Sequence, residues 1–391
     1  MTENNPAGYS IDDGNAASRN AYAWAKKTFA NRAGKPGEAA RNLDGGFANE
    51  IRFGNARLGI SSDGIGTKIE VAERLDRYDT LGFDLVAMTA DDLAVGGFVP
   101  TNLSNIIDVN RLDYSVVDEL MRGLHDACNF AGMAITGGEI AELGNRIGGH
   151  PGARMNFNWC STAIGSLHPS LAAPIDGHSA RAGMAVVAVH SPSFRSNGYS
   201  LARKTLTRLF GEEWHKEELR VMSYELGVEA PAPDVPQLIT HPTQLITHNS
   251  KLITQKTWGE ALLAPSLIYA PGIEAVLDAG LPLPAAAHIT GGGVADNFRR
   301  VLKNGLGAVL DNLFPPLPAM QRLLEIGDIP AETAYLYWNM GNGLLLVTEP
   351  ERAAELVAVL HGKDYAAQVA GCLTEAPEIV LRVGAGELRY A

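Results

Sequence analysis

Ser62-Asp63-Gly64-Ile65-Gly66-Thr67-Lys68 is the stretch on which the reading of this chain turns. It follows a short apolar run, residues 56–60, that reads as a strand. Gly64 and Gly66 let the backbone turn sharply and bring N–H groups close to an anion. Asp63 suits a hard cation, Lys68 suits a phosphate as a point charge, and Thr67 suits either. The spacing is not that of a Walker A loop, which requires G-x-x-x-x-G-K-[ST]. Taken alone, such a turn reads first as an ordinary loop. Its meaning comes from its neighbours.

The next segment has helical periodicity over 80–95, with Leu81, Leu85, Met88 and Leu93 as the buried stripe and Gly96-Gly97 as the stop. Asp91 and Asp92 are adjacent in its last turn. There they oppose the helix dipole and repel each other, each effect costing about 0.3–1 kcal/mol when exposed. Two readings stand: solvated surface acids, or acids that a bound divalent cation turns to advantage. Residues 101–109 read as a strand carrying Asn102 and Asn105, 115–130 as a helix, and 132–136 as a strand ending in Gly137-Gly138-Glu139. Three element ends thus present Asp63, Asp91/Asp92 and Glu139, which suggests carboxylates converging on Mg²⁺.

Before this, Asp12-Asp13-Gly14-Asn15 reads as a turn and cap for a helix over 16–29. After it, a stretch rich in Pro, Gly and small residues (167–183) marks a domain boundary. The expected organisation is residues 1–170, a linker at 171–183, and residues 184–391. The second part opens with an apolar strand (185–190) and the polar loop S-P-S-F-R-S-N-G-Y-S (191–200), followed by a helix. Such strand-to-helix loops commonly bind ligands. Residues 258–273 read as one helix. A strand at 286–290 opens onto Gly291-Gly292-Gly293 and a helix near Asp296-Asn297, a plausible anion site with Arg299 and Arg300 on the next turn. Residues 237–257 hold three heptads, QLITHPT, QLITHNS and KLITQKT, interrupted by Pro242. They read as a surface insertion, with a lid or partner-binding arm as the other possibility; His241 and His248 lie seven apart, unsuited to a helical metal pair.

Composition sets the outer limits. At 391 residues, two domains are expected, and 46% hydrophobic against 19% charged residues fits a globular chain. A net charge of −12 excludes a general nucleic-acid binder, so any anionic ligand depends on local donors and metal ions. Cys128, Cys160 and Cys372 lack C-x-x-C spacing, which points to a reduced, cytoplasmic setting without structural zinc. No apolar run approaches the ~20 residues that span a membrane.

Eight short motifs in one order give a resemblance: I-D-D-G-N (11–15), D-G-I-G-T-K (63–68), Y-D-T-L-G-F-D-L-V-A-M (78–88), G-G-E-I-A-E (137–142), S-N-G-Y-S-L-A-R (196–203), L-L-A-P-S-L-I-Y (262–269), H-I-T-G-G-G (288–293) and N-M-G-N-G (339–343). The chain resembles the aminoimidazole ribonucleotide synthetase family, also called phosphoribosylformylglycinamidine cyclo-ligase. The resemblance implies a two-domain α/β (α+β) fold, with an N-terminal sheet domain that forms a homodimer and a C-terminal α/β domain beside it. It implies ATP and Mg²⁺ in a cleft involving the dimer interface, and ATP-driven closure of formylglycinamidine ribonucleotide to 5-aminoimidazole ribonucleotide in purine biosynthesis. By the same resemblance Asp63, Asp92 and Glu139 are the metal acids, and Lys68, Asp63 and Asp92 the catalytic groups. Gly64, Gly66, Thr67, Asp91, Asn197, Gly198, Gly291, Gly292 and Gly293 would line the nucleotide.

The chain also departs from the family pattern. Asp91-Asp92 stands for Asn-Asp, Asn105 and Asn158 for two Asp, Arg195 for the His before Ser-Asn-Gly, Leu267 for an Arg, and Leu336 for another. The metal and phosphate end is better kept than the substrate end. These departures leave open another ATP-dependent amide- or acid-activating enzyme of the superfamily, or a non-catalytic ATP-binding paralogue.

Overall fold

Fourteen of the fifteen residues of the helix Leu81–Val95 are buried, Asp84 and Asp91 among them and Asp92 the exception, and the fold is arranged around it. A helix apolar on every side belongs in a core, not on a surface. The computed structural model describes residues 11–39, 46–219, 257–384 and 386–391. The heptad segment 237–257 lies outside them except for Thr257.

The first half comprises α1 (Ile11–Lys27), β1 (Glu38–Ala39), β2 (Asn49–Phe53), β3 (Ala56–Gly64), α2 (Ile69–Leu75), α3 (Leu81–Val95), β4 (Phe98–Val109), α4 (Tyr114–Ala131), β5 (Ala134–Glu142) and β6 (Phe157–Leu167). Among the described residues, its strands form one sheet in the order β1-β2-β3-β6-β4-β5, antiparallel except for the β4/β5 pair. Helix α4 is closed by design at both ends. Asp113 accepts from the Val116 N–H at 3.1 Å, and Gly132 at φ 68° ends the helix in the left-handed conformation that suits glycine.

The second half runs β7 (Ala185–His190), α5 (Tyr199–Phe210), α6 (Trp258–Leu263), α7 (Ala270–Asp278), β8 (Ala285–His288), α8 (Gly293–Val301), β9 (Gly307–Leu310), α9 (Pro318–Gly327), α10 (Ala331–Tyr337), β10 (Asn342–Thr348), α11 (Ala353–His361), β11 (Ala367–Thr374), β12 (Ile379–Val383) and β13 (Gly386–Tyr390). Its strands form a mixed sheet, β13-β12-β9-β11-β7-β10-β8. Every residue of β7, β8 and β10 is buried, which explains their unbroken apolar runs. The fold is therefore mixed α/β, with one sheet in each half.

Three elements differ from their sequence reading. Helix α1 begins at Ile11, so Asp12 and Asp13 lie in its first turn and do not precede it as a cap. The single helix expected over 258–273 is two, α6 and α7, because Pro265 has no N–H to donate and forces Ala264 out of the helical region (ψ 128°). Strand β5 continues through Gly137-Gly138 to Glu142, so Glu139 is mid-strand and not at a strand end.

Candidate functional site

Helix α3 sorts its acids by face. Asp84 and Asp91 are seven residues apart, two turns on one side; Asp92 is rotated about 100° from Asp91. The Asp84/Asp91 face meets residues 264–270 of the second half. Asp84 Oδ1 accepts from Lys68 Nζ at 2.8 Å, the Ser266 N–H at 3.1 Å and Ser266 Oγ at 2.5 Å. Asp91 Oδ1 accepts from the N–H groups of Tyr269 and Ala270 at 2.7 and 2.9 Å, at the start of α7, and its Oδ2 pairs with Arg195 Nη2 at 2.8 Å. A carboxylate at a helix N-terminus is favourable. The pair that seemed unfavourable at the end of α3 thus includes one acid that serves the beginning of another helix.

Two expectations are corrected here. Lys68 is fully buried, with its ammonium on Asp84 and on the Ala264 carbonyl at 2.6 Å, so the structure does not present it to a nucleotide. Burial pulls its pKa down and the Asp84 charge works against that. Asp91 is likewise consumed inside the protein and has no surface for a cofactor.

Asp92 points elsewhere. Its Oδ1 is 2.8 Å from His288 Nδ1 at the end of β8, and its Oδ2 is 3.4 Å from Ser61 Oγ on β3. Two residues beyond Ser61 on the same face of β3 comes Asp63, whose Oδ1 accepts from the Gly64 N–H at 2.7 Å. Burial pushes Asp92 up to about 7, against the pull of Arg300. Desolvation by the surrounding walls, with the neighbouring charge of Asp92 as a further cause, pushes Asp63 up to about 6, although part of its carboxylate is open to solvent. Arg300 stacks on Phe47 at 3.9 Å and donates to the Gly46 carbonyl at 2.8 Å.

The glycine turns gather at the same place. A Cβ on Gly66 would stand 3.8 Å from the Ser196 carbonyl, and one on Gly291 would stand 3.2 Å from Asn197 Oδ1. The loop after β3, the loop before α5 and the turn before α8 are therefore mutual neighbours. Asn297 Nδ2 ties the triglycine turn by donating to the carbonyls of Thr290, Gly291 and Gly293 at 3.2, 3.1 and 2.7 Å. Gly292 and Gly293 take φ 96° and 64°, and Gly198 takes φ 75° at the start of α5. Thr67 is exposed beside Gly66.

Glu139 does not join them. Asp63 aligns with Ser161, Asn105 and Gly138 across the sheet, whereas Glu139 aligns with Ile106 and Cys160 in the next row. Adjacent rows point to opposite faces, and three strand spacings separate β3 from β5, about 14 Å. Among the described residues, no group of three His, Cys, Asp or Glu side chains is placed to hold a metal ion. The expected convergence of 63, 92 and 139 is a convergence of 63 and 92 within one chain. Asn105 is buried, with its Oδ1 accepting from Trp159 Nε1 at 3.0 Å; Asn158 is exposed on the outer face.

Asn297 and Arg300 were placed at the triglycine turn from sequence, whereas the roles of His288, Asp84 and Ser266 were missed. A histidine closing an otherwise apolar strand was a usable signal for His288. Nothing local identified the Asp84–Ser266 contact, because it exists only across the two halves. Chemically, the arrangement offers two hard oxygen donors beside three glycine-bearing turns, a setting for a polyphosphate with a divalent cation.

Residues 47–165 match the family "AIR synthase related protein, N-terminal domain", and residues 239–384 match its C-terminal domain. The chain is 31% identical to the phosphoribosylformylglycinamidine cyclo-ligase of Thermococcus gammatolerans, covering 93% of this chain and 92% of that one. It is 33% identical to the enzyme of that name from Anaeromyxobacter sp., covering 87% and 85%. Among solved structures, the HypE–HypF complex is similar in fold (TM-score 0.55, 13% identity, 88% of this chain and 93% of that one). So is T. maritima PurL complexed with FGAR (TM-score 0.54, 16% identity, 88% and 47%).

Proposed function

Because the chain belongs to the AIR synthase, or phosphoribosylformylglycinamidine cyclo-ligase, family, we propose that it closes formylglycinamidine ribonucleotide to 5-aminoimidazole ribonucleotide at the expense of ATP, a step of purine biosynthesis. The observation that carries the reading to a site is the Asp63/Asp92 pair beside the glycine turns, both acids held above the ordinary carboxylate range. Asp92, half-buried, and Asp63, open to solvent on one side, both with raised values, are under-neutralised, which fits a place for a cation. Mg²⁺ is commonly held by one or two carboxylates with phosphate oxygens completing its shell, so Asp63 and Asp92 suffice on the protein side. When bound there it would neutralise charge on the transferring phosphoryl group.

In the reaction, the formamide oxygen attacks the γ-phosphorus and ADP leaves. The amidine-side nitrogen then attacks the activated carbon and inorganic phosphate leaves, closing the imidazole. Positioning and charge neutralisation dominate such chemistry. The backbone of Gly64, Gly66 and Gly291–Gly293, with Thr67, Asn197 and Gly198, is assigned to the nucleotide phosphates. Lys68 and Asp91 are assigned to holding the two halves in register. The outer face of the first sheet exposes Ile106 beside Glu139, with Ile164 farther along the same face, and we place the contact with a second copy there. The three free thiols accord with a cytoplasmic location. Among the described residues no helix is long and apolar enough to cross a membrane.

A coupled assay of ADP release tests the reading. ADP and phosphate are expected only when formylglycinamidine ribonucleotide is present. Mg²⁺-dependent ATP binding without turnover on that substrate would overturn it in favour of another amide- or acid-activating enzyme of the superfamily.

A further inference from the structure

We infer that Arg195 is a positioning residue for Asp92, acting through His288: its guanidinium fixes the ring with the proton on Nδ1, and that proton holds the Asp92 carboxylate. The inference rests on the assignment of Asp92 to the nucleotide–metal site. Arg195 Nη2 lies 2.6 Å from His288 Nε2, and both side chains are buried. An arginine side chain only donates and stays protonated in proteins. His288 Nε2 must therefore accept, because a proton on it would set N–H against N–H. The ring proton then belongs on Nδ1, which is 2.8 Å from Asp92 Oδ1 and donates to it. With Oδ1 committed, Oδ2 keeps among the described residues the 3.4 Å contact from Ser61 Oγ and is the oxygen open to a ligand.

Arg195 is itself held on several sides. Asp91 Oδ2 neutralises it at 2.8 Å, the Leu267 carbonyl accepts from Nη1 at 2.6 Å, and the Tyr269 ring lies 4.8 Å from the guanidinium carbon. Its backbone takes φ 61°, rare for a side chain of this size, and its N–H donates to Ser193 Oγ at 3.1 Å. Asp91 and Arg195 are also two of the positions at which the sequence departs from the pattern of the family it resembles. In the structure each is the other's partner, so one departure compensates the other. Adding Arg195 without the Asp91 carboxylate would leave a cation buried and unpaired. Two of the departures thus join His288 and Asp92 in one relay, Asp91–Arg195–His288–Asp92, crossing between the two halves.

Nitrogen-15 NMR of labelled histidine reads the tautomer directly. The chain has ten histidines, so the His288 signals are assigned by comparison with His288→Gln. The wild type should show a neutral Nδ1–H ring. The double variant Arg195→Met with Asp91→Asn removes both charges of the buried pair. It should show exchange between tautomers and bind an ATP analogue with Mg²⁺ roughly 10–100-fold more weakly, the usual effect of losing a group behind a ligand. Arg195→Lys keeps a donor that does not accept and should retain the tautomer. An Nε2–H or doubly protonated ring in the wild type would overturn the proposal, as would a double variant with unchanged tautomer or unchanged affinity. Asp92→Asn binding the Mg²⁺–nucleotide as tightly as wild type overturns instead the site assignment, and the ring measurement, which needs no nucleotide, separates the two failures.

Discussion

Helix α3 carries acids of two kinds within nine residues, and the contrast between them organises the molecule. Asp84 and Asp91 face the second half, each with a buried cation and backbone donors of its own. Asp92, with Asp63 across from it, has a histidine, a distant serine and the long-range pull of Arg300. A carboxylate that neutralises a buried cation of its own is a structural part, even where, as at Asp84 Oδ2, one oxygen lacks a hydrogen-bond partner; one without such a cation is available to something that binds. Both kinds have raised values because burial dominates, so the pKa direction alone does not separate them. The partner list does.

The hardest test of the contrast is to strip a partner from the satisfied set. Lys68→Met leaves Asp84 buried without its cation and should cost about 3–5 kcal/mol, read as a lower urea midpoint. Adding Asp84→Asn should recover much of that loss, since removing both charges of a buried pair is far milder than removing one. An undiminished midpoint in the single variant would mean that Lys68 is not the buried anchor described here.

The unsatisfied pair should behave in the opposite way. Asp63→Asn or Asp92→Asn should lower turnover by roughly 100-fold, the scale of one lost charge-stabilising group, while the melting temperature stays at or above the wild-type value. A smaller effect concerns pH. Asp63 and Asp92 bind protons more tightly in the folded state than unfolded, so their contribution to stability is full below about pH 4 and is lost as pH rises through 6 to 7. Without divalent cations, wild type should therefore lose thermal stability relative to Asp92→Asn as pH passes from 5 to 8. Mg²⁺ should abolish that difference; a gap that widens with Mg²⁺ would contradict the account.

The smallest effect lies on the acid side. Burial holds His190 at about 4 and His288 at about 3, so both stay neutral when folded. Their contribution is complete above about pH 6.5 and falls away as pH drops through 4. His190→Gln should flatten that limb in thermal melts between pH 3 and 7. His190 packs edge-on to Phe314 with ring centres 5.2 Å apart, so some loss at neutral pH is also expected.

Much of this was legible in the sequence, for physical reasons. Periodicity gave α3, α4 and β7 nearly to the residue, because their apolar positions follow the burial pattern. The glycine-bearing turns were legible because Gly292, Gly293 and Gly198 need left-handed backbone. What failed was anything decided by partners distant in sequence or by where a strand ends. Lys68 looked like a phosphate ligand because its neighbours in sequence are glycine, threonine and aspartate, yet its partner Asp84 sits sixteen positions on. Glu139 looked like a strand-end acid because two glycines precede it, but the strand continues and alternation turns the side chain to the outer face. Asp91 and Arg195 each looked like an isolated departure, and no spacing rule connects positions 104 residues apart.

The central claim is that Asp63 and Asp92, not Asp84 and Asp91, are the ones left for a cation. Crystals grown with Mn²⁺ and a non-hydrolysable ATP analogue test it by anomalous scattering. The account predicts a manganese peak within about 2.3 Å of a carboxylate oxygen of Asp63 or Asp92, bridged to the nucleotide phosphates, with none at Asp84 or Asp91. Manganese bound with the nucleotide at a site that includes neither Asp63 nor Asp92 would contradict it.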